Sequence, residues 1–199
     1  MKIRPMLLSM SAIILFASFL FVANATQQSK ERLINQMPVE QNEPLTITDL
    51  KVNAQSVSFD QRFAADDDWL KSLVVKVKNK SDKRVLFVSI ELLFPRRQGS
   101  KDQGAMFDVF YGNRALQDRQ PTASEQLIGI APGETTEIGF SVQKFVDLTS
   151  FLKATNFPQS IEKINLRLGS VIFDDNTMWR GGFFRRNPRN PSSWINVSP

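Results

Sequence analysis

One stretch constrains the fold of this chain more than any other: Leu70 to Pro95, reading L-K-S-L-V-V-K-V-K-N-K-S-D-K-R-V-L-F-V-S-I-E-L-L-F-P. Leu73, Val75 and Val77 fall on one face of an extended segment and Lys76 and Lys78 on the other, the period of two that marks a half-buried strand. After the polar run Asn79-Lys80-Ser81-Asp82-Lys83, the inward series resumes as Leu86, Val88, Ile90, Leu92 and Phe94. The pattern predicts a hairpin at the core of a β domain. Glu91 shares the opposite face with Val85, Phe87, Ser89 and Leu93. If that face is covered, a carboxylate there requires a basic partner; if it is open, Glu91 is solvated.

The flanking sequence repeats the theme. Leu45, Ile47, Leu50, Val52, Val57 and Phe59 suggest a strand pair whose phase slips near Thr48-Asp49, as at a bulge. Asp60 to Trp69 reads as a loop ending in the solvated acidic run Asp66-Asp67-Asp68, and Met106 to Tyr111 as a short strand. Gln126 to Ile130 and Thr135 to Val142 flank Ala131-Pro132-Gly133-Glu134, the chemistry of a type II turn. Between Val146 and Thr155 the period changes, and Val146, Leu148, Phe151 and Leu152 line one side of a short helix. Ile161 to Phe173 returns to strand, with Ile164, Leu166 and Leu168 inward and Gly169 marking a bulge. Asp174-Asp175-Asn176-Thr177 reads as a tight turn, Met178 to Phe184 as the returning strand, and Asn187 to Pro199 as irregular. About eight short strands with one helical insertion predict an all-β, immunoglobulin-like antiparallel β-sandwich, with a closed β-barrel as the alternative.

The segment Leu73 to Phe94, a strand ending in Val77-Lys78-Asn79-Lys80-Ser81-Asp82-Lys83 followed by a long apolar strand, resembles the extracytoplasmic immunoglobulin-like modules of bacteria, including the F-x-L-Y-D type. Glu91-Leu92-Leu93-Phe94 stands where that type carries its aromatic-x-Leu-Tyr-Asp signature. The resemblance implies a binding or scaffolding unit.

The N-terminus predicts the compartment. Lys2 and Arg4 precede an apolar run from Met6 to Val22, and Ala23-Asn24-Ala25 has the small-residue pattern of a cleavage site. Residues 1–25 are read as a signal peptide and 26–44, rich in Gln, Glu and Asn, as a disordered linker to a domain spanning 45–199. The expected location is periplasmic or secreted, with anchoring to the inner membrane by residues 6–22 as the alternative. The chain has no cysteine, so neither disulfides nor a lipid-modified cysteine is available, and no histidine. Serine–histidine and cysteine–histidine nucleophiles and the usual zinc hydrolase sites are therefore excluded, leaving carboxylate or lysine chemistry. No cofactor is implied. Removing Lys2 and Arg4 with the signal leaves 23 basic against 20 acidic residues.

Three constellations could carry function. Asp66-Asp67-Asp68 and Asp174-Asp175 supply oxygen ligands but lack the D-x-D-x-D-G spacing of a calcium loop, and are read as a solvated loop and a turn. Two carboxylates among Glu91, Asp108, Asp174 and Asp175 could serve a carbohydrate-active hydrolase if a cleft brings them within about 10 Å. The third runs from Trp179 to Trp194, where four arginines, all beyond the last carboxylate Asp175, interleave with four aromatics. Arginine forks pair with phosphate or carboxylate, and an exported address argues against nucleic acid. Trp179, Arg180, Arg185, Arg186, Arg189 and Trp194 are the candidate partner contacts. The competing account has Trp179, Phe183 and Trp194 plugging the end of the sandwich, with the arginines outward. The sequence thus predicts an exported, non-enzymatic binding or assembly module of the cell envelope, contacting an envelope protein or an anionic polymer. A paired-carboxylate hydrolase and a purely structural envelope protein are the alternatives.

Overall fold

The computed structural model describes residues 29–95, 104–122, 125, 127–158 and 160–197. The expected signal peptide and anchor lie outside the described residues. No helix among those described is long and apolar enough to cross a membrane.

The described residues are mostly β with one α-helix. In order, the elements are β1 (Lys30–Gln36), β2 (Leu45–Val52), β3 (Gln55–Val57), β4 (Arg62–Ala65), β5 (Val74–Asn79), β6 (Val85–Phe94), β7 (Ala105–Gly112) and β8 (Thr135–Gly139), then α1 (Val142–Ala154), β9 (Lys163–Phe173), β10 (Thr177–Trp179), β11 (Phe183–Asn187) and β12 (Asn190–Asn196). Two sheets form. In the larger, β9 is the spine: β6 and then β7 lie along one edge, while the other edge takes β1 and β4 near its start and β10, β11 and β12 near its end. The smaller has the order β3-β2-β5-β8. Leu50, Val75, Val77 and Ile138 of the small sheet share one buried core with Val88, Ile90, Leu92, Ile164 and Leu166 of the large one. No ladder joins the two sheets among the described residues, so the strands do not close into a single barrel.

Several expectations about these elements need correction. Leu70 to Pro95 is not a hairpin: β5 pairs with β2 and β8, whereas β6 pairs with β7 and β9, so Lys80 to Arg84 crosses from one sheet to the other. Alternation reports which face is buried and is silent on which strand is the neighbour. Fully buried Asn79 shapes the crossing. Its Nδ2 donates to Lys83 O at 2.8 Å and Ile130 O at 3.0 Å, and its Oδ1 accepts from Ser81 N at 3.0 Å and Ser81 Oγ at 2.7 Å.

The expected disordered linker contains β1, which pairs antiparallel with β4 and parallel with β9, from Leu33 opposite Lys163 to Gln36 opposite Leu166. A purely antiparallel architecture is therefore also corrected. The inward residues of β1 are Arg32 and Ile34, both 0 % exposed. Because one of the two is an arginine, the strand has no apolar alternation to betray it. Likewise β4 lies within the expected loop 60–69, and β12 lies in the expected irregular tail.

Other local expectations hold. The β2–β5 register slips between Ile47 and Asp49, Gly133 takes φ +78° with Glu134 N donating to Ala131 O, and β9 carries an extra residue at Gly169-Ser170. A second bulge in β6 falls between Val85 and Phe87. It turns Leu86 away from the main core into a second cluster with Phe87, Leu116, Ile172 and Met178 on the outer face of the large sheet. The helix begins earlier than expected because Ser141 caps it, accepting from Lys144 N. It buries Leu148 and Leu152 but leaves Val146 48 % exposed.

Candidate functional site

The C-terminal ribbon sorts the six candidate contacts into two groups. Trp179 on β10 is 0 % exposed and belongs to the main core, so it cannot meet a partner. Arg186 is 6 % exposed; its guanidinium donates to the carbonyls of Pro191 and Leu116 and lies 4.1 Å from the Trp194 ring centroid. Burial lowers its pKa, only partly offset by Asp118. Half-buried Trp194 donates its indole N–H to Gln117 O at 2.9 Å. These three residues fix the ribbon to the sheet and to the Arg114–Gln117 turn; for the buried Trp179 and Arg186 this corrects their expected role as contacts. The physical reason is parity: Phe184, Arg186 and their neighbour Trp194 share the face that packs on the second cluster.

Arg180, Arg185 and Arg189 are exposed, and none is in a salt bridge among the described residues. From Thr177 to Val197 there is no carboxylate in the sequence. Arg180 and Arg189 sit in the turns at opposite ends of β11, and Arg185 lies between them on the face opposite Arg186. Gly181 has φ +64°, a left-handed conformation that favours glycine, and the carboxylate of Glu40 lies against it.

The carboxylates divide as well. Glu91 on β6 stands directly opposite Asp108 on β7, on the outer face of the large sheet. Glu91 is 4 % exposed and receives the Arg167 Nε–H at 2.6 Å, which is the basic partner its covered position requires. Its side chain lies over Gly169, where a Cβ would meet Glu91 Cγ at 2.8 Å. Burial first, then the charge of Glu91, raises the pKa of Asp108; Arg114, Arg180 and Lys144 act in the opposite direction. One Asp108 oxygen, Oδ1, is buried without a hydrogen-bond partner. Lys144 stands 4.1 Å over the Phe110 ring and Arg114 at 5.9 Å from it. Asp174 and Asp175 lie at the far end of β9, in a turn. Asp175 Oδ1 accepts from Thr177 N at 3.0 Å and its Oδ2 meets Lys83 at 2.7 Å. Burial pushes the Asp175 pKa up, but Lys83 and Thr177 outweigh it and hold it below its ordinary value.

The acidic run Asp66-Asp67-Asp68 is not merely solvated. Asp67 accepts from Ser160 Oγ at 2.6 Å, Lys30 Nζ at 3.0 Å and Arg32 at 2.6 Å, and these donors hold its pKa well below the usual carboxylate range. Arg32 also donates to Asp66 O at 2.8 Å and Ile161 O at 3.0 Å, tying β1 to the loop and to the approach to β9. Beside this knot lies the groove least legible in the sequence, about 880 Å³, between α1 and the Asp66–Trp69 turn. Leu70, Leu148, Leu152 and Ile161 floor it, and Asp67, Asp68 and Lys153 stand among its polar lining. Only the apolar side of the expected helix hinted at it, and that side read as core.

Comparison with protein families, with curated proteins and with solved structures finds no match to this chain.

Proposed function

We propose that the chain is an exported, non-enzymatic binding or assembly module of the cell envelope, built as an immunoglobulin-like β-sandwich, that engages an anionic polymer through Arg180, Arg185 and Arg189. The observation that carries this reading is the ribbon from β10 to β12. Its buried Trp179 and Arg186 and half-buried Trp194 provide a fixed frame, its exposed arginines have no salt bridge among the described residues, and no carboxylate occurs in its sequence. Because the three arginines are strung from one turn to the other, an extended chain of anionic groups fits them better than a single small anion. The test is retention of the full chain on a polyanion matrix. Joint substitution R180A/R185A/R189A should lower the salt needed for elution, and unchanged elution would remove the reading.

A second reading, favoured by the opposition of Glu91 and Asp108, is hydrolysis of a glycan. Asp108, whose pKa is raised, would protonate the leaving oxygen, and Glu91 would act as the base or nucleophile. It predicts release of reducing ends from cell-wall glycan by the full chain and at least a hundredfold slower release by Asp108→Asn, on the order expected for loss of a general acid. No release by the full chain ends it.

A further inference from the structure

We propose that the outer face of the large sheet around Phe110 binds a sugar residue of the uronic-acid kind, its hydroxyls directed to Asp108 and its carboxylate to Lys144 and Arg114. The inference rests on the site of the second reading and names the sugar it takes, but it requires recognition there and not bond cleavage. Asp108 and Phe110, two residues apart on β7, share one face with Glu91 and Ser89, their opposite numbers on β6. Lys144, in the first turn of α1, and Arg114, in the turn after β7, reach that face from two further elements. Lys144 Nζ stands 4.1 Å from the Phe110 ring centroid and the Arg114 guanidinium 5.9 Å from it, so one ring gathers both charges.

The charges here do not cancel. Glu91 is taken by Arg167 at 2.6 Å. Neither Lys144 nor Arg114 is in a salt bridge among the described residues. Asp147, one turn along α1 from Lys144, accepts from Gln143 at 3.0 Å. Asp108 is then the acid that faces both cations, and burial first, then the charge of Glu91, draws it toward its neutral form. An excess of positive charge therefore stands beside Phe110. Asp108 has the complementary need, because its Oδ1 has no hydrogen-bond partner, a state that folded chains ordinarily avoid. The residue is only half-buried, and the soft torsion of its carboxyl can present that oxygen to a donor arriving from outside. A neutral sugar answers Asp108 alone. A simple anion answers the cations alone, and a phosphate ester, with its ~1.5 to 2 negative charges, is repelled by Glu91 more strongly than a single carboxylate is. A uronic acid joins hydroxyl donors to one planar carboxylate, which also suits the arginine fork.

The experiment titrates the full chain with trigalacturonate, with its methyl ester, which keeps the hydroxyls and loses the charge, and with inorganic phosphate. The acid should bind at least about fivefold tighter than the ester, the ratio that roughly 1 kcal/mol of charge contact provides. Lys144→Gln and Arg114→Gln should each close part of that gap, and Asp108→Ala should weaken acid and ester alike. Equal affinity for acid and ester, an unchanged gap in K144Q/R114Q, or phosphate binding as tight as that of the trimer would overturn the proposal. Reducing ends are assayed in the same samples. Tighter binding of the acid without release supports the proposal while ending the hydrolysis reading, whereas release from neutral glycan with no preference for the acid overturns the proposal and leaves hydrolysis in place.

Discussion

Asp67 and Asp108 respond to their surroundings in opposite directions, and each makes stability depend on pH in its own way. Ser160, Lys30 and Arg32 donate to Asp67, so its folded pKa lies below the unfolded value of about 4. The stability it contributes is complete above that value and is lost as pH falls through the range below it. Asp67→Asn should therefore destabilise the chain at neutral pH, with the difference closing in strong acid. Asp108 is shifted upward by burial and by Glu91, so the folded chain holds its proton more tightly than the unfolded chain does. Its favourable contribution is present below about pH 4 and is lost as pH rises through the folded pKa. Asp108→Asn should accordingly raise the urea midpoint at neutral pH and leave it unchanged near pH 3. Urea midpoints measured across that range check both substitutions. A fall for Asp108→Asn at neutral pH would mean that Asp108 is held as a stabilising carboxylate instead.

Among the elements, β1 has the largest structural consequence. It covers one edge of β9, buries Ile34 and Arg32, and brings Lys30 and Arg32 to Asp67. A chain beginning at Leu45 should lose native structure by far-ultraviolet circular dichroism and become protease-sensitive, whereas one beginning at Ser29 should remain folded; equal folding of the two would contradict the role given to β1. That boundary was hidden because an arginine occupies one of its two inward positions, so the signal of burial was masked by charge. Elements with apolar inward positions were plainer: β5, β6 from Val88 onward, β8 and β9 up to Leu168 follow their alternation, until the bulges at Leu86 and Gly169-Ser170 shift it, and the Pro132-Gly133 and Asp174–Thr177 turns follow their residue chemistry. Pairing was not plain, because a crossing between sheets and a hairpin share the same local pattern. The candidate contacts divided for a related reason. Clustering of arginine and aromatics was visible in the sequence, but whether a given arginine is a contact or a brace depends on strand parity. Parity places Arg186 beside Trp194 and leaves Arg185 outside.

At the scale of the whole molecule, one core shared by two sheets holds three surfaces: the arginine ribbon at the edge of the large sheet, the Glu91–Asp108 pair on its outer face, and the groove beside α1. Such surfaces, on turns, edges and a helix flank, sit where a rigid scaffold presents its variable parts. The ribbon carries the central claim, because its exposed cations stand on a frame that packing alone explains. The measurement that tests it most directly is the salt dependence of the full chain's affinity for a linear polyanion, compared with that of R180A/R185A/R189A. The triple substitution should weaken binding and flatten its dependence on salt while leaving the unfolding free energy from urea titration within about 0.5 kcal/mol of the parent, as for exposed sites. Unchanged affinity and unchanged salt dependence in a folded triple variant would contradict the claim.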